Sequence, residues 1–294
     1  MICRQCIYIG NSGEAQKGTG EKCVSLQTYF HEFTPVCFSG SFSWVKQTME
    51  DRTRLTFPAF FAGTLRRYGT RDALALTGQK PLSYNEIYDS IQAVIAFLEK
   101  LGIQPGEKVA ILSSNQPNWA IVYYAITFMG GVAVPLLPEF LPIEIEVLLE
   151  HSETKVVFAS EKLQPKLVGI NTDYLKEVVR IEDFTVVRSY EAWPSFVPDE
   201  KPSREYEVQE DDLAAIIYTS GTTGDPKGVM LTHRNICSDA IMGFKIQHIV
   251  ETDRFLSLLP LSHTYENTLG LILPMYRGAC VYFLGKPPTP SILL

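Results

Sequence analysis

The spacing of apolar positions predicts an amphipathic helix between Ser83 and Gly102. Ser83 and Glu86 form a capping-box pattern, because the serine oxygen and the glutamate carboxylate can each satisfy a free backbone amide at a helix start. Apolar residues then recur at helical spacing, and Gly102 follows the last of them, as is typical of a helix end. The apolar positions are Ile87, Ile91, Val94, Leu98 and Leu101.

Short apolar, β-rich segments alternate with amphipathic segments along the rest of the chain. The first set comprises strand 108–112, helix 118–129, strand 132–136, helix 142–153 and strand 155–159. The second comprises strand 214–218, a helix from about residue 232, strand 254–258, helix 263–275 and strand 279–284. This alternation is typical of parallel βαβ units and predicts an α/β fold with mixed, largely parallel sheets and flanking helices. We predict subdomains at about 80–183 and 210–294, joined by a charge- and proline-rich linker at 184–212.

Residues 1–48 do not share this pattern. Glycine and polar residues between positions 10 and 20 show no apolar period, which is typical of disorder. No basic head precedes an apolar run, so a signal peptide is not predicted. Patterned sequence begins near Met49, and we therefore predict that 1–48 is a disordered extension, for which an upstream start-codon choice is one explanation.

Four of the six cysteines lie within the first 37 residues. Cys3 and Cys6 have the spacing of half a zinc site, but Cys23 and Cys37 do not form the second close pair that such a site needs. Isolated thiols in a reducing compartment are favoured over a structural zinc ion.

The overall charge weighs against one class of partner. The chain has 294 residues with a formal net charge of −7 at pH 7, so neutralisation of nucleic-acid phosphates is not expected. A local basic site for a small phosphate ligand is compatible with this total. A cytoplasmic location is expected from the absence of a signal and of a convincing membrane span.

The run 109–138 carries no charged residue and is long enough to cross a bilayer. Its polar segment 113–118 would need hydrogen-bond partners in lipid, and Gly130 and Gly131 divide the remainder. A buried strand–helix–strand unit explains the same pattern and is the favoured interpretation.

The most informative segment is 218–229, which reads YTSGTTGDPKGV. Its glycines let backbone amides converge on an anion, its hydroxyls add donors, and its lysine adds a mobile positive charge. Pro226 before the lysine distinguishes it from a Walker A loop, and its glycine spacing differs from a dinucleotide fingerprint. A phosphate loop is favoured over an ordinary polar turn between a strand and a helix. The candidate ligands are Thr219, Ser220, Gly221, Thr222, Thr223, Gly224 and Lys227.

This segment closely resembles the signature phosphate loop of the adenylate-forming superfamily, whose members include acyl-CoA synthetases. The segments LTHRNI at 231–236 and LPLSHTYE at 259–266 also match, the latter in its long-chain acyl-CoA synthetase form. Upstream, NQPNW at 115–119 through GGVAVP at 130–135 is similar to the N-terminal subdomain of these enzymes. The resemblance covers roughly 50–294 and implies that 49–294 is a partial AMP-binding domain.

The resemblance implies an ATP-dependent ligase that forms an acyl-adenylate and then an acyl-CoA. ATP, a long-chain fatty acid and CoA would be the substrates, with Mg²⁺ as the cofactor near Thr219. Lys227 would hold the departing pyrophosphate, and His263 would lie between the nucleotide and the acyl tunnel. Glu266 is a second candidate for substrate binding, and the helix 269–275 for the acyl pocket. A capping or core role would also explain His263, and an ordinary core helix would also explain the apolar composition of 269–275.

Departures from the family pattern limit these expectations. The later motifs that hold Mg²⁺ and ribose and the small C-terminal domain with its catalytic lysine have no counterpart here, so the chain alone is expected to be inactive. A separately encoded C-terminal half and peripheral membrane contact are partners compatible with this pattern. The alternatives are a ligase for medium-chain or aryl acids, or a non-catalytic half-site completed by another chain.

Overall fold

A computed structural model describes residues 7–8, 54–189, 195–219 and 227–285 of the chain, which form two β-sheets with helices packed against them. The strands are β1 (Ile7–Tyr8), β2 (Asp72–Leu76), β3 (Leu82–Ser83), β4 (Lys108–Leu112), β5 (Val132–Leu136), β6 (Thr154–Ala159), β7 (Glu177–Arg180), β8 (Val186–Ser189), β9 (Leu213–Thr219), β10 (Lys227–Thr232), β11 (Arg254–Ser257) and β12 (Cys280–Phe283). The helices are α1 (Phe57–Tyr68), α2 (Tyr84–Lys100), α3 (Pro117–Phe128), α4 (Pro142–Ser152), α5 (His233–Ile246) and α6 (Leu273–Tyr276). A 3-10 helix covers Glu161–Leu167, and a π-helical segment covers Glu266–Ile272.

The larger sheet has the strand order β1-β10-β9-β5-β4-β6-β7-β8. Its strands are parallel except at the pairs β9–β10 and β7–β8, which are antiparallel. β5 is buried along its whole length, as expected for a central parallel strand covered on both faces. The predicted α/β class with mixed, largely parallel sheets is therefore confirmed.

The smaller sheet has the order β11-β12-β2-β3 and joins early and late parts of the chain. β12 pairs in parallel with both β11 and β2, and β3 pairs antiparallel with β2. Both sheets thus combine strands from the segments 80–183 and 210–294 or their flanks. β8 lies inside the segment predicted as a linker.

The predicted helix start at Ser83 is confirmed in α2. The Ser83 amide donates to Glu86 Oε2 at 2.7 Å, and the Glu86 amide donates to Ser83 Oγ at 3.3 Å. All five apolar positions named for this helix are buried in the larger hydrophobic core. Gly102 follows with a φ of +75°, a conformation that favours glycine.

The uncharged run forms β4, α3 and β5, which is the predicted buried strand–helix–strand unit. No helix in the described part of the chain combines the length and apolar character needed to cross a bilayer. Within 1–48 the structure describes only β1, which pairs with β10, so the predicted extension and its four cysteines otherwise lie outside the described residues.

Candidate functional site

The predicted phosphate loop connects the two strands of a β-hairpin. Thr219 is the last residue of β9, Lys227 is the first residue of β10, and the two face each other as backbone partners. The prediction that the loop leads directly toward a helix missed β10, although Thr232 is the N-cap of α5 as expected. Because Thr219 and Lys227 are cross-strand neighbours, the hairpin brings a hydroxyl and an ammonium group to one end of the sheet.

The other predicted loop residues cannot be located in this way. The candidate positions Ser220, Gly221, Thr222, Thr223 and Gly224 lie outside the described residues, and their roles stay predictions.

Contacts just inside the hairpin connect β9 both to α4 and to β10. The hydroxyl of Tyr218, which precedes Thr219, lies 2.7 Å from Nδ1 of His151 on α4. A Cβ atom added at Gly228 would lie 2.8 Å from Cγ2 of Ile216, so β10 can approach β9 this closely only with glycine there. His151 and Tyr218 are 67 residues apart, so no local pattern could predict their contact.

The hairpin lies at the edge where parallel strands end. Ala215 on β9 is opposite Ala133 on β5, which in turn is opposite Val109 on β4. Four residues further along these strands, Thr219 is level with Ser113, roughly 10 Å away across two strand spacings. In open α/β sheets, ligands bind outside the carboxyl ends of the strands, so the hairpin occupies the expected edge.

The second predicted segment follows β11. The His263 amide donates to Pro260 O at 3.0 Å, and the Asn267 amide donates to His263 O at 2.9 Å, which defines a turn that leads into a helix. Helical structure covers 264–276, close to the predicted 263–275, but its middle, Glu266–Ile272, is the π-helical segment. π-Helical turns are frequent at functional sites. The His263 side chain is exposed just before this helix.

Glu266 turns its carboxylate into the protein. Its exposed fraction is 7%, and Oε1 accepts a hydrogen bond from Ser257 Oγ at 2.6 Å. Burial raises the pKa of the Glu266 carboxyl, and hydrogen bonds from Ser257 and from the Leu258 and Leu259 amides oppose this increase. A Cβ at Gly270 would lie 2.7 Å from Glu266 Cδ, so the carboxyl group is confined on that side as well.

Sequence reasoning assigned no role to Asn115, which contacts this second segment from the end of β4. Its Nδ2 donates to Ser257 Oγ at 2.9 Å and to Leu259 O at 2.7 Å. Its Oδ1 accepts a hydrogen bond from the Leu261 amide at 2.9 Å. These partners are 142 to 146 residues away, so no local pattern could reveal the contact.

Large apolar side chains lie exposed around His263. They are Leu256, Leu258, Leu259 and Tyr265, with exposed fractions between 39% and 65%. By contrast, the apolar residues later in the predicted acyl-pocket helix are buried in the larger hydrophobic core. They are Leu271, Ile272, Leu273 and Met275. The cavity beneath Ile272 and Met275 has a volume of only about 10 Å³, far below the several hundred cubic ångströms of a ligand pocket.

The described residues supply little for a metal ion. Across 54–189, 195–219 and 227–285, no group of three or more His, Cys, Asp and Glu side chains could hold one. Thr219 is exposed and offers a single hydroxyl oxygen. Because Mg²⁺ in nucleotide sites takes most ligands from phosphates, water and one or two carboxylates, Thr219 fits only as one ligand beside bound ATP.

The fold is that of an α/β domain with the β9–β10 hairpin at the carboxyl ends of its parallel strands, and the segment 256–265 carries exposed apolar side chains. The AMP-binding enzyme family matches residues 61–294, and the chain belongs to this family. A long-chain-fatty-acid–CoA ligase of Homo sapiens is 29% identical over 249 residues, which are 79% of this chain and 37% of that protein.

Solved structures share the fold. An anthranilate CoA ligase crystallised with anthranoyl-AMP matches with a TM-score of 0.70 at 21% identity, over 82% of this chain and 46% of that chain. The N-terminal domain of FACL13 from Mycobacterium tuberculosis matches with a TM-score of 0.68 at 22% identity, over 79% of this chain and 58% of that chain. The predicted likeness to the N-terminal domain of adenylate-forming enzymes is thus confirmed, and the chain spans little more than a third of the human relative.

Proposed function

We propose that this chain carries the ATP-phosphate site and part of the acid site of an AMP-forming ligase that converts long-chain fatty acids to CoA thioesters. The observation that carries the proposal is the pairing of Thr219 and Lys227 at the carboxyl edge of the larger sheet. Family membership supports the reaction class, and the long-chain relative supports the choice of acid.

In the proposed reaction, the carboxylate of the acid attacks the α-phosphorus of ATP, and the bond to the bridging oxygen breaks to release pyrophosphate. The CoA thiol, after losing its proton, then attacks the acyl carbon, and AMP leaves. Negative charge accumulates on phosphoryl oxygens in the first step. Lys227 and the loop hydroxyls would stabilise that charge, and Thr219 would hold Mg²⁺ together with the ATP phosphates.

The acid site is proposed beside His263. This exposed imidazole belongs to the segment 256–265, whose exposed apolar side chains suit the tail of a fatty acid. We propose that His263 contacts the acid near the nucleotide, and that Glu266 contributes through the backbone segment to which its carboxylate is bonded.

Two other functions have specific support. The shared fold with an anthranilate CoA ligase favours an aryl acid as the second candidate, with medium-chain acids in the same class. The 37% coverage of the human relative favours a half-site that acts together with further protein sequence, in the same chain or a separate one. For the whole enzyme, we also propose CoA as a co-substrate and peripheral contact with a membrane.

Replacing Lys227 with alanine tests the phosphate site. We expect Lys227→Ala to weaken ATP binding to the purified chain by at least about tenfold, because a charge-assisted contact to phosphate is lost. In any active form of the enzyme, the rate of adenylate formation should fall about 100-fold. Isothermal titration calorimetry and pyrophosphate release are the measurements.

The matched control is Lys245→Ala, which removes an exposed lysine from the last turn of α5. It should leave both quantities unchanged. Equal ATP affinity of the wild-type and Lys227→Ala chains would contradict the proposed phosphate site. Competition among fatty acids of increasing length and an aryl acid distinguishes the substrate classes, and preferential binding of the aryl acid would favour the second candidate.

A further inference from the structure

The side-chain amide of Asn115 joins the carboxyl ends of strands in the two sheets. It follows β4 of the larger sheet and bonds to Ser257, the last residue of β11 in the smaller sheet. Leu259 O can only accept and the Leu261 amide can only donate, so their contacts require Nδ2 near Leu259 and Oδ1 near Leu261. The amide therefore has one workable orientation.

The hydrogen bonds continue from Asn115 into the helix. Ser257 Oγ accepts a hydrogen bond from Asn115 Nδ2 and donates one to Glu266 Oε1. The direction of both hydrogen bonds is therefore defined. Ser257 and Glu266 are buried, which makes an unmatched partner costly. Asn115 thus fixes both ends of the turn that precedes the helix, one through Ser257 and the other through Leu261.

We propose that Asn115 is a positioning residue that holds the segment 257–263, and with it His263, against the carboxyl edge of the larger sheet. It does not touch substrate in this role. The consequence for acid binding rests on the proposed function, whereas the clamp itself rests only on the three hydrogen bonds. The hairpin with Lys227 is a separate element, so ATP binding should be independent of this clamp.

Asn115→Asp tests the proposal with almost no change in shape. The second carboxylate oxygen would face Leu259 O and remove both Nδ2 donors. Gln116→Glu makes the same chemical change one residue away and is the matched control. Gln116 Nε2 donates to Ser113 Oγ at 2.8 Å, and Ser113 Oγ donates to Ser114 O at 2.8 Å. In the variant, the Ser113 hydroxyl can turn its proton to the carboxylate, because Ser114 is exposed and water can replace the bond to its carbonyl. Gln116 is also the N-cap of α3, where a negative charge is favourable.

Hydrogen exchange followed by mass spectrometry on the purified chain measures the clamp directly. We expect the peptide containing the Leu261 amide to exchange at least about tenfold faster in Asn115→Asp than in the wild type, with the remainder of the core unchanged. Gln116→Glu should match the wild type. Unchanged exchange in this peptide, or an equal increase throughout the core, would overturn the proposal.

Ligand titrations then separate positioning from general structure. We expect Asn115→Asp to bind cis-parinaric acid, a fluorescent long-chain fatty acid, about tenfold more weakly while binding a fluorescent ATP analogue within about twofold of the wild type. Faster exchange with unchanged fatty-acid affinity would overturn the role in acid binding.

Failure of the proposed function has a different signature. If the wild-type chain binds neither ligand, the ligase assignment fails, and hydrogen exchange still decides whether Asn115 is a clamp. If Asn115→Asp does not fold, Asn115→Ala removes the same hydrogen bonds without adding charge, and the same exchange criterion applies to it.

Discussion

His233 is the first residue of α5 and is completely buried, and its Nδ1 accepts a hydrogen bond from the Phe57 amide at 3.3 Å. The Phe57 ring packs against the imidazole at a centroid distance of 5.2 Å. Burial lowers the pKa of His233 to about 4, and the charge of Asp212 opposes this shift. The folded protein therefore holds a neutral imidazole over a pH range in which an unfolded chain would be protonated.

This difference predicts loss of stability in acid. Between the unfolded pKa of 6.5 and the folded value of about 4, the unfolded state binds the extra proton, so the free energy of unfolding falls as the pH falls through this window. The lowered pKa of His233 changes the free energy of unfolding by about 3 kcal/mol across this window. Urea denaturation at several pH values measures it.

His233→Asn supplies the control, because an amide oxygen can accept from the Phe57 amide but does not titrate. We expect this variant to lose the part of the pH dependence between 4 and 6.5, whereas His248→Asn at an exposed position should keep it. Identical pH profiles for the wild type and His233→Asn would count against the assignment.

Residues differ in how well sequence alone could predict their roles. Thr219 and Lys227 belong to a contiguous motif, so their types and spacing were sufficient to suggest phosphate binding. Asn115 and His151 contact partners far along the chain, and neither has a distinctive neighbour pattern. Such contacts depend on how the sheets are assembled, and a single sequence does not encode that assembly in any local period.

At the scale of elements, the π-helical segment leaves room for the Glu266 carboxyl group only because residue 270 is glycine. A Cβ at Gly270 would meet Glu266 Cδ at 2.7 Å and displace a carboxylate that Ser257 holds. We expect Gly270→Ala to lower the free energy of unfolding by about 1 to 3 kcal/mol, because a buried hydrogen bond is broken. Chemical denaturation measures the change.

Replacement of a second helix glycine is expected to change the free energy of unfolding in the opposite direction. Gly63 lies within α1, and a Cβ there would meet only a guanidinium nitrogen of Arg67, at 3.9 Å. Gly63→Ala should raise the free energy of unfolding by about 0.5 to 1 kcal/mol through helix propensity and reduced freedom of the unfolded chain. Destabilisation of both variants to a similar extent would show that glycine contacts at Glu266 have no special effect.

Strands whose apolar run is marked off by a neighbouring polar residue or glycine were predictable. Strands that rely on distant partners were not. β4 and β5 match their predicted bounds, because Ser113 follows the apolar run of β4 and Gly131 precedes that of β5. β10 is only half-buried over much of its length, so its pattern resembled a loop. β2 depends on β12 for pairing, and the π-helical segment has the same apolar pattern as an α-helix.

At the scale of the whole molecule, two buried thiols report on the two sheets. Cys237 lies on α5 in the larger hydrophobic core, and Cys280 begins β12 in the smaller sheet. Burial raises the pKa of both thiols, to about 11 for Cys280, so the reactive thiolate is scarce in the folded state.

We expect the two thiols to be labelled at rates with the same dependence on urea, because the described residues from Arg54 onward form one compact unit that should open cooperatively. Alkylation followed by mass spectrometry of the two peptides is the measurement, and the fully denatured chain gives the reference rates. Labelling of Cys280 at clearly lower urea than Cys237 would mean that the smaller sheet opens by itself.

The pairing of β2 with β12 also has a consequence for synthesis in the cell. β2 leaves the ribosome about 200 residues before β12, a delay on the order of tens of seconds at typical elongation rates. During this interval β2 can pair with β3 and pack against α2 and α3, but its parallel neighbour β12 is still missing. The smaller sheet can therefore be completed only late in translation, once β12 is available to pair with β2.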